Sequence, residues 1–370
     1  MTQANPQTAV YLALELSSKT WKLALSNTQK LRELHVPAGD PVGLLTALAE
    51  AKRRWQLPPE TRVYSCYEAG RDGFWLDRWL RAHGIVNVVV DSASIEVNRR
   101  QRQVKTDRLD AQRLLQLLLR YQLHGERQLW RVVHVPTPQQ EDERRAHRER
   151  QRLLGERTAH RNRLRSLLVL QGVRIRSLRQ PPLAQLRDAE GQALPAALLA
   201  ECQRETARLA LVEQQLNELE RAQQQRLAQP VSLADRQAAQ LLRLRGVGPV
   251  SALVLAKEFF GWRGLRNRRQ VGALAGLTGC PYRSGTLARD QGISKAGNAR
   301  VRVVMVELAW AWLRLQPTSA LTQWFWRRFG QGNARQRRVG IVALARKLLV
   351  ALWRYLEQGQ VPSGALLKAA

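Results

Sequence analysis

The chain has 370 residues, in which 60 Lys and Arg stand against 30 Asp and Glu, for a formal net charge of +30. This length allows two or three domains with at least one sizeable core. About nine of the basic residues are Lys, so Arg supplies most of the charge. Guanidinium groups pair with phosphate oxygens through two hydrogen bonds and stack on bases. We therefore expect a nucleic-acid partner, with an acidic membrane surface as the alternative.

Hydropathy and cysteine usage exclude several protein classes. No apolar stretch approaches the roughly 18 residues of a spanning helix. The first residues lack the basic and then apolar order of a signal peptide, so we expect a cytoplasmic, nucleoid-associated protein of a bacterial or archaeal cell, without a membrane partner. Cys66, Cys202 and Cys280 are odd in number and follow no metal-ligand spacing, which argues against a disulfide scaffold or a zinc site.

The first 136 residues have the pattern of an α/β domain. Three short β-type segments at the start predict an antiparallel meander, and helices then alternate with strands. This order predicts a mixed sheet with helices packed on it, as in ribonuclease-H-like folds. The predicted strands are 10–16, 21–26, 31–36, 62–67 and 86–90, and the predicted helices are 42–55, 72–83 and 109–119.

Residues 137–230 predict long helices. The segment 141–170 is rich in Arg and Glu and has no β-branched runs, which is typical of an exposed helix. After a break at 172–195, apolar residues recur at spacings of three and four, as in a coiled-coil seam: Leu209, Val212, Leu216 and Leu219. The segment could form an antiparallel hairpin arm, a dimerisation element or a plain helical linker. We favour a dimerising arm and expect a homo-oligomer, either a dimer or a tetramer.

Residues 231–370 predict a third, mostly helical domain. The RGVGP segment at 245–249 lies between two apolar helical stretches and resembles the entry of a helix-hairpin-helix. In such a turn Gly246 and Gly248 would let backbone amides approach a phosphate, although many ordinary helix turns also use glycine. The Trp- and Arg-rich segment 310–353 favours helix packing, with base stacking as the alternative for its aromatic residues.

Four carboxylates in the first domain form a candidate metal site. Glu15 and Glu68 each end a predicted strand, and Asp107 and Asp110 lie three residues apart at a predicted helix start, on one helical face. Singly, Asp107 could favour the helix dipole and Glu15 could pair with an Arg. Jointly, such carboxylates are typical of a site that holds two divalent cations about 4 Å apart, with Mg²⁺ or Mn²⁺ as the candidates.

A second group of candidate residues lies in the glycine-rich segment 276–298, which we interpret as a loop. Ser284 stands between Arg283 and Gly285, and no helix-cap role accounts for it. Its hydroxyl could attack a phosphodiester if its proton is removed. Ser294 precedes a predicted helix and is expected to be its N-cap.

These motifs resemble a known family, the insertion-sequence transposases with a RuvC-like acidic domain and a separate catalytic-serine domain, which act as bridge-RNA-guided recombinases. The resemblance covers nearly the whole chain. It lies in KTDRLDA at 105–111, RGVGP at 245–249, AGL at 275–277, SG at 284–285 and GISKAGN at 292–298. The family's acidic set reads Asp, Glu, Asp, Asp, so Glu15 departs from it by one methylene.

The resemblance implies roles for residues of this chain. Glu15, Glu68, Asp107 and Asp110 would be metal ligands and catalytic groups, and Ser284 would be the nucleophile. From the glycine turn and the basic residues of these motifs we also expect nucleic-acid contacts, at Lys105, Arg108, Gly246, Gly248, Arg283, Arg289 and Lys295.

The activity so implied is site-specific DNA recombination. The serine would form a covalent link to DNA, aided by magnesium. The expected partners are donor DNA, target DNA and a structured non-coding guide RNA that chooses the target by base pairing. Two alternatives stay open, which are a metal-dependent junction nuclease that uses water and a non-catalytic nucleic-acid-binding protein.

Overall fold

A computed structural model describes residues 9–70, 72–95, 107–178, 182–284 and 287–368, with the side chains of 107–109 and 282–290 outside the description. The chain divides into two compact units, Met1–Pro136 and Thr137–Ala370. None of the helices in these ranges is both long enough and apolar enough to cross a membrane.

The first unit is a five-stranded mixed sheet with helices on both faces. Its strand order is β3-β2-β1-β4-β5. The first three strands pair antiparallel as hairpins, whereas β4 pairs parallel to β1, and β5 parallel to β4. The elements are β1 (Ala9–Leu16), β2 (Thr20–Ser26), β3 (Leu31–Pro37), α1 (Pro41–Arg54), β4 (Arg62–Glu68), α2 (Trp75–Ala82), β5 (Val86–Val90) and α3 (Asp107–Leu123).

Strand alternation separates two cores on this sheet. Leu12 and Leu14 of β1 face the core that α1 and α2 cover. Tyr11 and Ala13 face the opposite core, which α3 covers. Because consecutive side chains point to opposite faces of a sheet, the α/β pattern of the sequence places both helical layers. The predicted mixed α/β character of this unit is confirmed.

The second unit consists of helices and one β-hairpin. Its helices α7 to α12 enclose a core around Phe259, Trp312 and Leu348. The elements are α4 (Pro138–Asp142), α5 (Arg145–Val169), α6 (Ala196–Ala228), α7 (Leu233–Leu242), α8 (Pro249–Leu255), a π-helical turn (Ala256–Phe260), α9 (Arg268–Leu274), β6 (Gly279–Ser284), β7 (Leu287–Ile293), α10 (Ala299–Leu315), α11 (Ala320–Phe329) and α12 (Ala334–Gln358).

Helices α5 and α6 form an antiparallel hairpin. Ion pairs run from Arg150 to Glu220 and from His160 to Glu205, so the residue numbers rise along one helix as they fall along the other. The seam predicted from the sequence is buried within this hairpin, where Val212 and Leu216 pack against Leu153 of α5. The apolar seam is therefore buried by contacts within one chain, as in the antiparallel hairpin arm that was one of the three alternatives. Self-association through the arm stays a prediction.

Candidate functional site

Glu15 and Glu68 lie at the same edge of the sheet. Glu15 is the penultimate residue of β1 and Glu68 the last residue of β4, and these strands are adjacent and parallel, with Leu14 opposite Tyr67 in register. Carboxyl ends of neighbouring parallel strands meet at one edge, and there both side chains, half-buried, line a cavity of about 140 Å³. The structure thus brings together the two strand-end carboxylates that the sequence singled out.

Both carboxylates lie on the sheet face that α3 covers. Glu15 follows Ala13 on this face, and Glu68 follows Cys66 on it, since alternate residues share a face. The Cys66 thiol donates to the carbonyl of Leu114 in α3, with Sγ 3.8 Å from the oxygen. Burial raises the pKa of this thiol, and the charge of Glu68 raises it further, so Cys66 is protonated and inert.

The aspartate pair belongs to the first turn of α3. Asp107 is the first residue of the helix, although its side chain is not among those described. Asp110 is half-buried and shares a helix face with Leu114, one turn later, but it does not line the cavity of Glu15 and Glu68. Lys105 lies outside the described residues, and the side chain of Arg108 outside the described side chains.

A third carboxylate at this cavity escaped the sequence analysis. Asp72 lines it from the turn between β4 and α2, a position that the sequence assigned to the first residue of a helix over 72–83. The hydroxyl of Tyr67 donates to the carbonyl of Gly73 at 3.2 Å and ties this turn to the strand. Within the described ranges, no three His, Cys, Asp or Glu side chains are close enough to hold a metal. A site built from all four predicted acids therefore stays a prediction.

Ser284 is the last residue of strand β6. It pairs with Leu287 of β7, with only residues 285 and 286 between the strands. Arg283 and Arg289 also belong to this hairpin, and Arg283 pairs with Ala288. The segment that the sequence suggested as a glycine-rich loop is thus a two-stranded antiparallel sheet. Ser284 stands at one end of it, and Gly279, paired with Ile293, stands at the other.

The loop after this hairpin interlocks with the end of α9. Gly276 and Gly297 have φ of +68° and +90°, and a Cβ on Gly297 would collide with the carbonyl of Leu274. Only glycine combines this conformation with so close an approach. Lys295 is exposed in the same loop at a φ of +55°, and its carbonyl accepts from Arg302 at 3.0 Å.

The N-cap of α10 is Asn298, and the expectation that Ser294 caps this helix was wrong. The Asn298 side chain accepts hydrogen bonds from the amides of Arg300 and Val301 at 3.0 and 3.2 Å. Ser294 is exposed four residues earlier, and its amide donates to Thr278. The tight loop at Lys295 and Gly297 delays the helix start, because left-handed residues cannot open a right-handed helix.

Gly246 and Gly248 form the turn between α7 and α8. Gly246 has a φ of +90°, and Gly248 is the N-cap residue of α8. The amides of Arg245 and Val247 donate to the carbonyls of Leu366 and Leu244. Within the described part of the chain, the amides of Gly246 and Gly248 have no such acceptor. They are the donors of this turn that a phosphate could use.

Glu258, in the π-helical turn, is a buried charge of the second unit with several hydrogen-bonding partners. Its carboxylate is fully buried and accepts from Nε and Nη2 of Arg148 at 2.6 and 2.8 Å, and from Nδ2 of Asn298 at 3.1 Å. Nε2 of His147 lies 2.8 Å from Oε1. Burial raises the pKa of Glu258, but the hydrogen bonds from Arg148 and His147 outweigh it and hold this pKa well below its usual range. Glu258 is therefore ionised and links the arm to the residue that caps α10.

Sequence reasoning missed this cluster. The available signal was a Lys257–Glu258 pair inside an apolar stretch, 253–260, where a charge requires a partner. Nζ of Lys257 lies 3.0 Å from Oδ1 of the buried Asp235, which forms an ion pair with it. The π-helical turn itself is a feature that is often found at functional sites.

Comparison with known proteins identifies the chain. Residues 238–323 match the family described as "Transposase IS116/IS110/IS902 family". The chain is 42% identical to "Putative transposase y4rJ" of Sinorhizobium fredii, across 97% of this chain and 95% of that protein. It is 29% identical to "Transposase for insertion sequence element IS1328" of Yersinia enterocolitica and 31% to "Probable family 20 transposase" of Pseudomonas aeruginosa, each over 62% of this chain and about two thirds of the relative. The chain belongs to the IS116/IS110/IS902 family of insertion-sequence transposases.

Proposed function

We propose that this transposase is an RNA-guided, site-specific DNA recombinase that cleaves and exchanges strands through a covalent serine–DNA intermediate. The observation that carries the proposal is the shared cavity of Glu15 and Glu68 at the carboxyl ends of two parallel strands, in a chain with a net charge of +30. The strand order β3-β2-β1-β4-β5 supports a ribonuclease-H-like, or RuvC-like, sheet for the first unit.

The proposed metal ligands are Glu15, Glu68, Asp107 and Asp110. Carboxylate oxygens are the ligands that Mg²⁺ and Mn²⁺ prefer, and Glu15 and Glu68 at the cavity would supply two of the four carboxylates. A cation held there would neutralise charge on the phosphate under attack. The extra methylene of Glu15 would still allow its carboxylate to reach a metal.

Ser284 is the proposed nucleophile. Its Oγ would form a bond to phosphorus while the bond from phosphorus to the leaving strand's oxygen breaks, and the hydroxyl proton would pass to a base or to water. In the second step, the hydroxyl of the incoming strand would attack the phosphoserine and release Ser284. We propose that Arg283 and Arg289 of the same hairpin contact the phosphate, together with Lys105, Arg108, Lys295 and the amides of Gly246 and Gly248.

Strand exchange also requires recognition of two DNA sites. We propose that a structured guide RNA selects donor and target DNA by base pairing, while the protein contacts shape and backbone. Since Ser284 and the acids are far apart in sequence, a homo-oligomer could combine the two groups from different copies. Sequencing of the nucleic acid that co-purifies with the protein tests this: we expect one discrete structured RNA, and a random cellular mixture would contradict guidance.

The covalent intermediate is tested directly on denaturing gels. Labelled target DNA is mixed with the protein, Mg²⁺ and the co-purifying RNA. The wild type should give a protein–DNA adduct that Ser284→Ala abolishes. Ser294→Ala, an exposed serine in the same segment, is the matched control and should keep the adduct. DNA cleavage without any adduct would favour the junction nuclease that uses water, and no cleavage at all would favour a non-catalytic nucleic-acid-binding protein.

A further inference from the structure

A large groove in the second unit is lined by cationic residues of which only Lys295 has a role in the proposed reaction. Its volume is about 980 Å³, and it lies between α9, the Gly279–Ile293 end of the hairpin, α11 and α12. We call it the α9–α12 groove. Six cationic side chains line it: Arg268, Arg269, Lys295, Arg346, Lys347 and Arg354.

Among the described side chains, no acidic group offsets the positive charge of the α9–α12 groove. The described residues that line it include no Asp or Glu. Within the described side chains, none of the six cations pairs with an acid, whereas much of the arm's arginine is paired. Like charges gathered in one concavity repel each other unless an anion lies between them. The groove therefore fits a polyanion.

The walls of the groove are apolar and aromatic. Leu277, Leu321 and Val350 contribute to them, and so does the half-buried indole of Trp324. The ammonium group of Lys347 lies 4.6 Å from the centroid of this indole. An aromatic face beside a cation is the arrangement that stacks a base and holds its phosphate.

One face of helix α12 forms a continuous row of residues along the groove. Val339, Val342, Arg346, Val350 and Arg354 follow each other at spacings of three or four residues and all line the groove. Residues at these spacings share one helix face. Over 15 residues the row is about 22 Å long, which is enough for several nucleotides. Gly272 of α9 leaves space for the Arg346 side chain, because a Cβ there would lie 3.0 Å from its Nε.

We infer that the α9–α12 groove binds an unpaired segment of nucleic acid, with bases against its apolar walls and phosphates on its cations. A duplex keeps its base faces stacked and would leave the apolar walls without contacts. A second copy of this chain also carries +30 and would be repelled by the six cations. The inference rests on the proposed function only in taking the polymer to be the nucleic acid on which the chain acts.

The position of the groove relates it to strand exchange. Ile293 and Gly279 line it at one end of the hairpin, and Ser284 stands at the other end of β6. A strand of six residues spans about 17 Å. A single strand held in the groove would therefore lie within one strand length of the proposed nucleophile.

Fluorescence anisotropy of the full chain tests the inference without any chemistry, because EDTA removes divalent metal. The probes are labelled oligothymidine, oligouridine and a DNA duplex, each of about 12 nucleotides or base pairs. Arg346→Gln/Arg354→Gln should weaken single-strand binding about tenfold or more and reduce the log–log salt slope by roughly 1.4. The control Arg335→Gln/Arg338→Gln removes the same charge from exposed positions of α12 outside the groove and should change binding less than about threefold.

A second pair of variants separates stacking from charge. Trp324→Leu should weaken single-strand binding about fivefold or more at an unchanged salt slope, the effect of losing one base–aromatic stack. Trp326→Leu is its control, since that indole is 50% exposed two residues later on α11 and does not line the groove. A preference for oligouridine would identify the strand as guide RNA, and a preference for oligothymidine would identify it as DNA.

Three results would overturn the inference. The groove variants could bind single strands as their controls do, or they could lose duplex and single-strand binding equally. Alternatively, Trp324→Leu could change only the sedimentation coefficient, which would identify a second copy as the occupant. If wild-type protein still forms the serine adduct in any of these cases, the proposed function stands and only the groove assignment fails.

Discussion

His147 donates from Nε2 to the carboxylate of Glu258 across 2.8 Å, although 111 residues separate them. The direction of this hydrogen bond follows because an ionised carboxylate can only accept hydrogen bonds. His147 belongs to the arm helix α5, whereas Glu258 belongs to the π-helical turn after α8. This contact, together with Arg148, fastens the arm to the helices that carry the serine hairpin.

We expect Glu258→Gln to destabilise the second unit by about 3 kcal/mol, because it removes the buried charge that pairs with Arg148 and leaves the donors around it with a weaker acceptor. Urea unfolding followed by circular dichroism measures this loss. Glu149→Gln is the matched control, since Glu149 is an exposed carboxylate on α5 without an ion pair in the described structure. Equal stability of the two variants would show that the Glu258 cluster contributes nothing to folding.

Acid should unfold the arm through Glu205. Burial raises the pKa of this carboxyl group, but hydrogen bonds from His160, Arg163 and Arg208 outweigh it and lower the pKa to about 2. Since the folded pKa lies below the unfolded value, this stabilisation is complete above about pH 5 and is lost as the pH falls toward 2. Glu205→Gln should therefore lose less stability between pH 5 and 2.5 than the wild type. Parallel acid-unfolding curves would contradict this assignment.

Substitution of the proposed metal ligands should impair strand cleavage but leave nucleic-acid binding intact. Asp107→Ala, Asp110→Ala and Glu68→Gln should each reduce Mg²⁺-dependent strand cleavage by more than about 100-fold, while DNA and RNA affinities in EDTA stay unchanged. Glu15→Asp should retain or raise the cleavage rate if residue 15 is a ligand. Glu60→Gln, an exposed carboxylate of the same unit, is the control. Full cleavage by both aspartate variants would refute the metal site.

Substitution of Asn298 should reduce stability more than substitution of Ser294. Asn298→Ala removes the cap of α10, which typically costs about 1 kcal/mol, and also a hydrogen bond to Glu258. Ser294→Ala changes only an exposed hydroxyl and should shift the free energy of unfolding by less than about 0.5 kcal/mol. Thermal melts of both variants measure the difference. A larger loss for Ser294→Ala would restore the cap that the sequence suggested.

The sheet of the first unit was predictable because its strands are short runs of apolar, aromatic and β-branched residues, separated by polar turns or by helical segments. The strands predicted at 10–16 and 86–90 match β1 and β5 within one residue. The same reasoning placed Glu15 and Glu68 at strand ends, and parallel pairing then brought them to one edge. Asp72 was missed because a helical pattern over 72–83 concealed a turn before Trp75, the first residue of α2.

Local sequence patterns could not predict contacts between residues that are far apart in the sequence. The strands β6 and β7 were missed because glycine and charged residues give them no alternation, and their pairing stabilises them. The seam at Val212 and Leu216 was visible, but its partner was not, since an Arg-rich helix such as α5 hides its few apolar contacts. Sequence spacing similarly gave no sign that His147 meets Glu258.

The buried carboxylate of Glu258 also limits which parts of this transposase can be isolated or joined to parts of a relative. A fragment that starts at Val231 keeps Asn298 but lacks His147 and Arg148, the donors that offset burial of the charge. The same holds for a chimera that joins residues 231–370 to the arm of a distant relative, unless that arm carries adjacent His and Arg at the matching turn. A chimera made from this transposase must therefore include α5 together with the serine hairpin.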